Sequence, residues 1–270
     1  MIANREYLIS LLKKGKIPKK FLPYLKEDKE DVYNFLKSIG MEENDIEKYP
    51  ILLLRDLEAI KTQYEELKRI GISDKEIIKY PRLLTRSLKK LKETYEKLVE
   101  LGISEEKIAS EPWLLTKDLE SIKENYEILI KIGVPKRKIA SYPLLLGLSS
   151  ENIKKRYQHI ISLLRDDYKN RNSGRDSIIF NPLLLSVPPE TIEANIQFLS
   201  YIGFDEYNPI LLQTKPQTKR KKIAILLREL FRYETLSKKD KNKAIKELYQ
   251  ILKENPKLLI NSSGKLKKKS

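Results

Sequence analysis

The chain has 270 residues and no cysteine, which excludes disulfide-stapled secreted domains, thiolate metal sites and cysteine nucleophiles. With one histidine, His159, histidine-based metal sites and catalytic triads are a poor fit as well. The 54 Lys and Arg residues outnumber the 38 Asp and Glu residues, and the resulting net charge of +16 attracts polyanions. Nucleic acid is therefore the first class of partner to consider, ahead of an acidic membrane surface.

Residues 1–33 are predicted to form an N-terminal cap with a partial repeat around Pro23. The chain has no apolar run of about 18 residues, so no membrane-spanning segment is expected. Its first residues lack the apolar stretch and small-residue cleavage pattern of a secretory signal, whereas a mitochondrial presequence is less firmly excluded.

Residues 34–164 contain four segments that repeat with a period of 31. Each segment has a glycine, and then a proline that opens a Pro-x-Leu-Leu motif. The glycines are Gly40, Gly71, Gly102 and Gly133, and the prolines are Pro50, Pro81, Pro112 and Pro143. The motif returns at uneven spacing at Pro182, Pro209 and Pro256, which indicates three irregular repeats in residues 178–262. These seven prolines number the repeats from one to seven.

Each repeat is predicted to hold a short helix, a tight turn and a longer helix of about 14 residues. The proline ends the short helix because it lacks an N–H group, and the two leucines fit a 3₁₀ turn. Six residues past the proline stand residues that favour the start of a helix, namely Asp56, Ser87, Asp118 and Ser149. Apolar residues then recur at intervals of three and four, and the next glycine stops the helix.

One such unit cannot bury its apolar stripe alone, so the repeats must stack on one another. We therefore expect an all-α helical-repeat solenoid of about seven units of roughly 31 residues. Residues 165–177 are polar and are predicted to form an insertion between repeats four and five, with a division into two lobes as the less favoured alternative. Residues 263–270 form a basic tail.

The repeated Gly, Pro-x-Leu-Leu and N-cap pattern resembles the mitochondrial transcription termination factor repeat over roughly residues 34–260. This resemblance implies a left-handed helical solenoid with a basic groove that binds double-stranded DNA, or in some cases RNA. It implies roles in transcription, replication or ribosome assembly. It carries over no base-contacting residue, because such residues lie outside the repeat motif.

The composition is rich in Lys, Glu and Ile and poor in Gln, a balance typical of hyperthermophile proteins and also produced by an AT-rich genome. It favours a prokaryotic, archaeal or viral relative of the family. The corresponding location is the cytoplasm, with the mitochondrion as the alternative.

Two columns of basic residues follow the repeat. The P+11 column, eleven residues past each proline, consists of Lys61, Lys92, Lys123, Lys154, Glu193, Arg220 and Lys267. The P+5 column, five residues past it, begins with Arg55, Arg86 and Lys117. In a stacked solenoid the P+11 column is predicted to form a row of cations that contacts phosphates. The alternative is that these lysines merely line the edge of each apolar stripe, with wet ammonium groups.

The densest basic cluster is the run Lys219, Arg220, Lys221 and Lys222. It precedes an apolar helical pattern, where the helix dipole disfavours cations, so it is also predicted to bind phosphates rather than to be a solvated helix start.

Aromatic residues and His159 are weaker candidates for binding. The tyrosines Tyr64, Tyr95, Tyr126 and Tyr157 lie within the apolar stripes and are predicted to pack in the core with their hydroxyls at the surface. Trp113 occupies a variable position after its proline, where exposure would allow a binding role. His159 is expected to be an ordinary residue at the rim of its helix.

The favoured interpretation is a non-enzymatic, monomeric protein that binds double-stranded DNA in transcription or genome maintenance, without cofactor, metal or membrane. Nucleotide-binding glycine motifs are absent from the sequence. Structured RNA is the alternative ligand, and a protein-binding helical scaffold is the alternative class.

Overall fold

The computed structural model describes residues 10, 13–15, 30–166, 174–201 and 209–259. Within these residues helices occur without any β-strand, which confirms the all-α helical-repeat class. Most of the predicted N-terminal cap and the whole basic tail lie outside the described residues. The left-handed course of the solenoid stays a prediction.

The first five repeats have the predicted order of short helix, turn and long helix. A helix at Glu30–Ser38 precedes them. The short helices span Glu43–Lys48, Asp74–Lys79, Glu105–Ser110, Lys136–Ser141 and Gly174–Phe180. The long helices span Leu57–Arg69, Leu88–Glu100, Leu119–Lys131, Ser150–Asp166 and Pro189–Tyr201. Residues 165–166 and 174–177 of the predicted insertion are therefore helical, and its residues 167–173 lie outside the described residues.

The turns are 3₁₀ helices at Pro50–Leu54, Pro112–Thr116, Pro143–Gly147 and Pro182–Ser186. Repeat two is an exception, because Arg82–Thr85 forms one α-helical turn in which the Arg86 N–H donates to the Arg82 carbonyl. In each turn the two residues at the second and third positions past the proline are buried. The turn thus anchors the connection between the helices in the core.

The later repeats depart from the regular pattern. Repeat six continues from a 3₁₀ turn at Pro209–Leu212 into a helix at Pro216–Phe231, and a 3₁₀ segment at Tyr233–Thr235 follows. The helix before Pro256 has 17 residues, Lys238–Glu254, where the earlier repeats have a short helix, and the turn Pro256–Leu259 follows it. The wide spacing between the last two prolines reflects this lengthened helix.

The predicted N-cap residues start the long helices. The Asp56 carboxylate accepts the Ala59 N–H at 2.9 Å, and the Ser87 hydroxyl accepts the Lys90 N–H at 3.3 Å. Asp118 and Ser149 do the same for the next two long helices. These bonds satisfy amide groups that the first turn of a helix leaves without partners.

A glycine with positive φ ends the helix Glu30–Ser38 and the long helices of repeats one to three. At Gly71, with φ 88°, the Gly71 N–H donates to Lys68 and the Ile72 N–H donates to Leu67. This is the Schellman pattern, and it brings the buried side chains of Ile72 and Leu67 to the same end of the helix. The same pair of bonds closes the helices at Gly40, Gly102 and Gly133.

We expect Gly102→Ala to lower the free energy of unfolding by about 1 kcal/mol, because a side chain strains the left-handed backbone. A Cβ at Gly102 would have no neighbour within 4 Å, so backbone strain alone sets the cost. Urea denaturation followed by circular dichroism measures this loss. Thr62→Ala, at an exposed position inside a long helix, is the control and should leave stability unchanged or slightly raised. Equal effects of the two substitutions would contradict the argument.

The chain divides into two compact units, Met1–Glu124 and Asn125–Ser270. The boundary falls inside the long helix Leu119–Lys131 and not in residues 165–177. Each unit has its own core of aliphatic side chains, with Ile60, Leu67 and Leu91 fully buried in the first and Ile153, Ile160 and Leu199 in the second. Within each unit a long helix packs against the turn of the repeat that follows.

Where each long helix packs against the next turn, the first five repeats have a polar residue thirteen positions past the proline. These residues are Gln63, Thr94, Asn125, Arg156 and Asn195. Four of them donate from the side chain to a backbone carbonyl in the next repeat's turn: Gln63 to Leu83 at 2.7 Å, Asn125 to Leu146 at 2.9 Å, Arg156 to Leu185 at 2.9 Å and Asn195 to Leu212 at 2.8 Å. We call this set the P+13 column. It supplies donors to carbonyls that a short turn leaves without partners.

Thr94 is the member of this column that serves its own helix instead. Its hydroxyl donates to the Lys90 carbonyl and accepts a hydrogen bond from Arg86 Nη2. The side chain is too short to reach across to the next turn in the way that Asn and Gln do.

We expect Asn125→Leu to cost about 1–3 kcal/mol for each buried carbonyl that loses its donor. The Asn125 amide bonds both Leu146 and Leu148, so two carbonyls are affected. Thr94→Val is the matched substitution in the same column and should cost less than Asn125→Leu, because it removes the acceptor of Arg86 Nη2 but no bond to the next turn. Urea denaturation compares the two variants, and equal losses would refute a role for the carbonyl pairing.

Candidate nucleic-acid interface

In the first unit, the cations of the P+11 column are paired with carboxylates. Lys61 Nζ lies 3.1 Å from Glu58, and Lys123 Nζ lies 2.8 Å from Glu120, each on its own helix. Lys92 reaches to the preceding long helix, where its Nζ lies 3.1 Å from Glu66. These lysines are at the surface, but each already has a counterion.

The pairing also acts on the ionisation of these groups. The hydrogen bond from Lys92, with a further contribution from Arg69, lowers the pKa of Glu66. The hydrogen bond to Glu120 raises the pKa of Lys123. Both shifts favour the charged forms, so a phosphate must compete with an existing partner at these positions.

In the second unit the described part of the P+11 column consists of two exposed cations and one glutamate. Lys154 is exposed on the helix Ser150–Asp166, and Arg220 is exposed on the helix Pro216–Phe231. Between them Glu193 interrupts the basic column, and its Oε1 lies 2.9 Å from His159 Nε2. Lys267 lies outside the described residues.

The contact between His159 and Glu193 has the same repeat positions as the contact between Glu66 and Lys92. In both, a residue sixteen past one proline meets the P+11 residue of the next repeat. The P+11 column therefore lies along the seam between successive long helices. His159 is half-buried at this rim, as predicted.

The P+5 cations Arg55, Arg86 and Lys117 are half-buried beside the turns of the first unit. Burial lowers the pKa of Arg86, whose Nη2 donates to Thr94 at 3.3 Å. The Nε atoms of Arg55 and Arg86 are buried and have no hydrogen-bond acceptor among the described residues. Lys117 Nζ lies 5.5 Å from the centre of the half-buried Trp113 ring. The side chains of these three cations therefore pack against the protein surface, and only part of each is exposed to solvent.

The tyrosines Tyr64, Tyr95, Tyr126 and Tyr157 are half-buried along the apolar stripes. Tyr64 is half-buried, contacts the edge of Phe35 and donates from its hydroxyl to Asp74 at 2.8 Å. Burial raises the pKa of Tyr64 and of Tyr95. Neither ring is presented as a platform for bases.

In the basic run 219–222, the side chain of Lys219 is not available to the candidate interface. Lys219 was predicted to contact phosphate, but its side chain is fully buried. Its Nζ donates to Asn195 Oδ1 at 2.6 Å and to the Thr214 carbonyl. Lys219 therefore bonds Asn195 of the P+13 column and a backbone carbonyl just beyond the turn Pro209–Leu212.

Helical spacing explains why Lys219 is buried and its neighbours are not. Lys219 lies four residues before the buried Ile223 and seven before the buried Leu226, so the three share one face of the helix. Arg220 and Lys221 lie on the exposed side, and Lys222 is half-buried. The guanidinium carbon of Arg220 lies 5.3 Å from the centre of the Phe198 ring, close enough for a cation–π contact. The spacing of Lys219 to Ile223 and Leu226 in the sequence already indicated that Lys219 lies on the buried face of its helix.

Burial lowers the pKa of Lys219 from 10.5 to about 8. The folded protein therefore releases this proton at a lower pH than the unfolded chain does. Below pH 8 both states hold the proton, and the cost of burying the charge is fully present. Between pH 8 and 10.5 the unfolded chain binds more protons, so this cost is relieved as pH rises.

We expect the free energy of unfolding of the parent, minus that of Lys219→Met, to be flat below pH 8 and to rise by about 1.4 kcal/mol per pH unit above it. Urea denaturation of both proteins between pH 7 and pH 10 tests this, and taking the difference cancels the titration of the tyrosines. Lys221→Met, at an exposed position, should show no such rise. A flat difference for Lys219→Met would contradict the buried-charge account.

The two units differ sharply in charge. Residues 1–124 contain 25 Lys and Arg against 24 Asp and Glu, whereas residues 125–270 contain 29 against 14. Nearly all of the net positive charge thus belongs to the second unit. The attraction to polyanions that the composition predicts is concentrated there.

The described residues hold no group of three or more His, Asp and Glu side chains that could bind a metal ion. Among the same residues, no helix is both long enough and apolar enough to cross a membrane.

The stacked repeats define this chain as an all-α helical-repeat protein. A family model described as mTERF matches residues 3–171, which cover the four regular repeats and more than half of the chain. The chain therefore belongs to the mTERF family, whose members are nucleic-acid-binding factors. No curated protein matches the sequence.

Proposed function

We propose that this mTERF family member is a non-enzymatic protein that binds double-stranded DNA through its phosphates. The observation that carries the proposal is the excess of basic residues in residues 125–270, in a chain whose family binds nucleic acids. Phosphate contacts provide affinity and carry no base information, so shape and deformability would contribute to the choice of site. Transcription regulation or termination, or genome maintenance, is the corresponding role.

The proposed contacts fall into two groups. In the second unit Arg220, Lys221 and Lys222 supply cations that no carboxylate of the described residues neutralises. Lys154, exposed on the helix Ser150–Asp166, is a further proposed contact of this unit. The second group lies in the first unit and contributes less, because its cations are paired or partly buried. This group comprises Arg55, Lys61, Arg86, Lys92, Lys117 and Lys123.

The cost of exchanging partners explains this ranking. A phosphate that binds Lys61 or Lys123 replaces a glutamate at hydrogen-bond distance, so the gain is the difference between two similar ion pairs. A phosphate that binds Lys221 replaces only water and mobile ions. The release of condensed counterions from DNA is then a net gain.

We expect the logarithm of the association constant for a short duplex to fall with the logarithm of salt concentration, by about 0.9 for each phosphate contact. Replacing Arg220, Lys221 and Lys222 with Gln should reduce that slope by about 2.7. Replacing Lys61, Lys92 and Lys123 with Gln removes the same charge and should reduce it by less than about 1. Fluorescence anisotropy across a salt series measures all three proteins.

A slope near zero for the parent protein would refute DNA binding through phosphates. A larger effect of the Lys61, Lys92 and Lys123 triple would instead make the seam between the long helices the main contact. Thermal melts of both variants provide the control for folding.

The same titration with duplex RNA distinguishes the alternatives. A clear preference for the RNA duplex favours structured RNA, because A-form and B-form helices present different shapes to the same cations. Binding to neither nucleic acid would favour a protein-binding scaffold. The composition supports a location in the cytoplasm of a prokaryotic host, with the mitochondrion as the alternative.

A further inference from the structure

Phe180 is an exposed aromatic residue at a position where the preceding repeats have none. It ends the short helix of repeat five, two residues before the proline, and is 56% exposed. The equivalent residues of repeats one to four are Lys48, Lys79, Ser110 and Ser141. The fold therefore does not need an aromatic side chain at this position, and exposing one to water brings no stability.

The neighbouring short helix, in repeat four, begins with basic residues where the short helices of repeats one to three begin mostly with acidic ones. Its first three residues are Lys136, Arg137 and Lys138, and a proline replaces the capping residue. The same three positions in repeats one to three hold six acidic residues among nine: Glu43, Asn44, Asp45, Asp74, Lys75, Glu76, Glu105, Glu106 and Lys107. Because the start of a helix favours anions, the basic residues in repeat four cost local stability.

The short helix of repeat four and the exposed ring lie together. Lys138 Nζ lies 3.0 Å from the Phe180 carbonyl oxygen and 5.6 Å from the centre of the Phe180 ring. The Arg175 guanidinium approaches the loop that leads into the same helix, since a Cβ added at Gly133 would lie 3.2 Å from Arg175 Nη2. We call Lys136, Arg137, Lys138, Arg175 and Phe180 the short-helix patch. One carboxylate, Asp176, lies beside Arg175 in the sequence, so cations predominate.

We propose that the short-helix patch binds single-stranded nucleic acid, with Phe180 stacked on a base and the cations holding phosphates. An exposed ring among cations matches the chemistry of single-strand binding, in which aromatic side chains stack on bases and a basic surface follows the backbone. A duplex hides the faces of its bases and would leave the ring unused. The inference deepens the proposed function, since both require nucleic acid, but it uses residues outside the proposed duplex contacts.

The experiment compares three labelled ligands in anisotropy titrations: a blunt duplex, the same duplex with a single-stranded tail of about ten nucleotides, and that duplex with an abasic tail. Phe180→Ser introduces the residue that repeats three and four have at this position, and Phe180→Trp keeps a stacking ring. Circular dichroism verifies that both variants fold.

The parent should bind the tailed duplex more tightly than the blunt one. Phe180→Ser should weaken binding of the tailed duplex between about fivefold and about 150-fold, the range for loss of one stacked base. It should leave binding of the blunt and abasic-tailed duplexes unchanged, and Phe180→Trp should retain the preference for the tail.

Two results separate this inference from the proposed function. If Phe180→Ser leaves the preference for the tail intact while the blunt duplex still shows its salt dependence, the short-helix patch is not a stacking site and duplex binding stands. If the tail preference depends on Phe180 but the blunt duplex does not bind, the inference stands and the duplex proposal falls. If the abasic tail binds as well as the normal tail, charge alone is responsible and stacking is refuted.

Discussion

The repeats depend on the pairing of turn carbonyls that the Pro-x-Leu-Leu motif buries. A turn of four or five residues cannot satisfy its own last carbonyls, and burial makes an unpaired carbonyl costly. The chain solves this with a side-chain amide or guanidinium from the long helix of the preceding repeat, as Asn125 does for Leu146 and Leu148. The donor stands thirteen residues past its proline in four of the first five repeats, and in repeat two Thr94 makes no such bond.

This requirement determines which charges are free to act outside the molecule. The face of the long helix next to the P+13 column is occupied by packing, so Lys219 on that face becomes a structural donor although it lies in the densest basic run. The neighbouring P+11 column lies on the seam, where side chains of adjacent helices reach one another and pair, as Lys92 does with Glu66. Cations that point away from both surfaces, such as Lys221, keep their charge available.

The sequence predicts the repeat well because its determinants are local. Glycine with positive φ, proline, paired leucines and N-cap residues each act within a few residues, and the structure confirms them at Gly71, Asp56 and Ser87. The sites are harder to predict, since they depend on contacts between repeats. Whether Lys123 is free or paired depends on the rotamers of two side chains, and the meeting of Lys138 with Phe180 joins residues 42 positions apart. Only the burial of Lys219 could have been inferred, from its spacing to Ile223.

The uneven charge of the two units has a consequence for the free protein. With 29 basic and 14 acidic residues, the second unit repels itself, and this repulsion opposes its compact state at low salt. The first unit has nearly equal numbers of basic and acidic residues, so its net charge does not oppose folding. A polyanion that binds only the folded second unit relieves the repulsion and shifts its folding equilibrium by mass action. A nucleic acid that bound in this way would add to the stability of that half of the molecule.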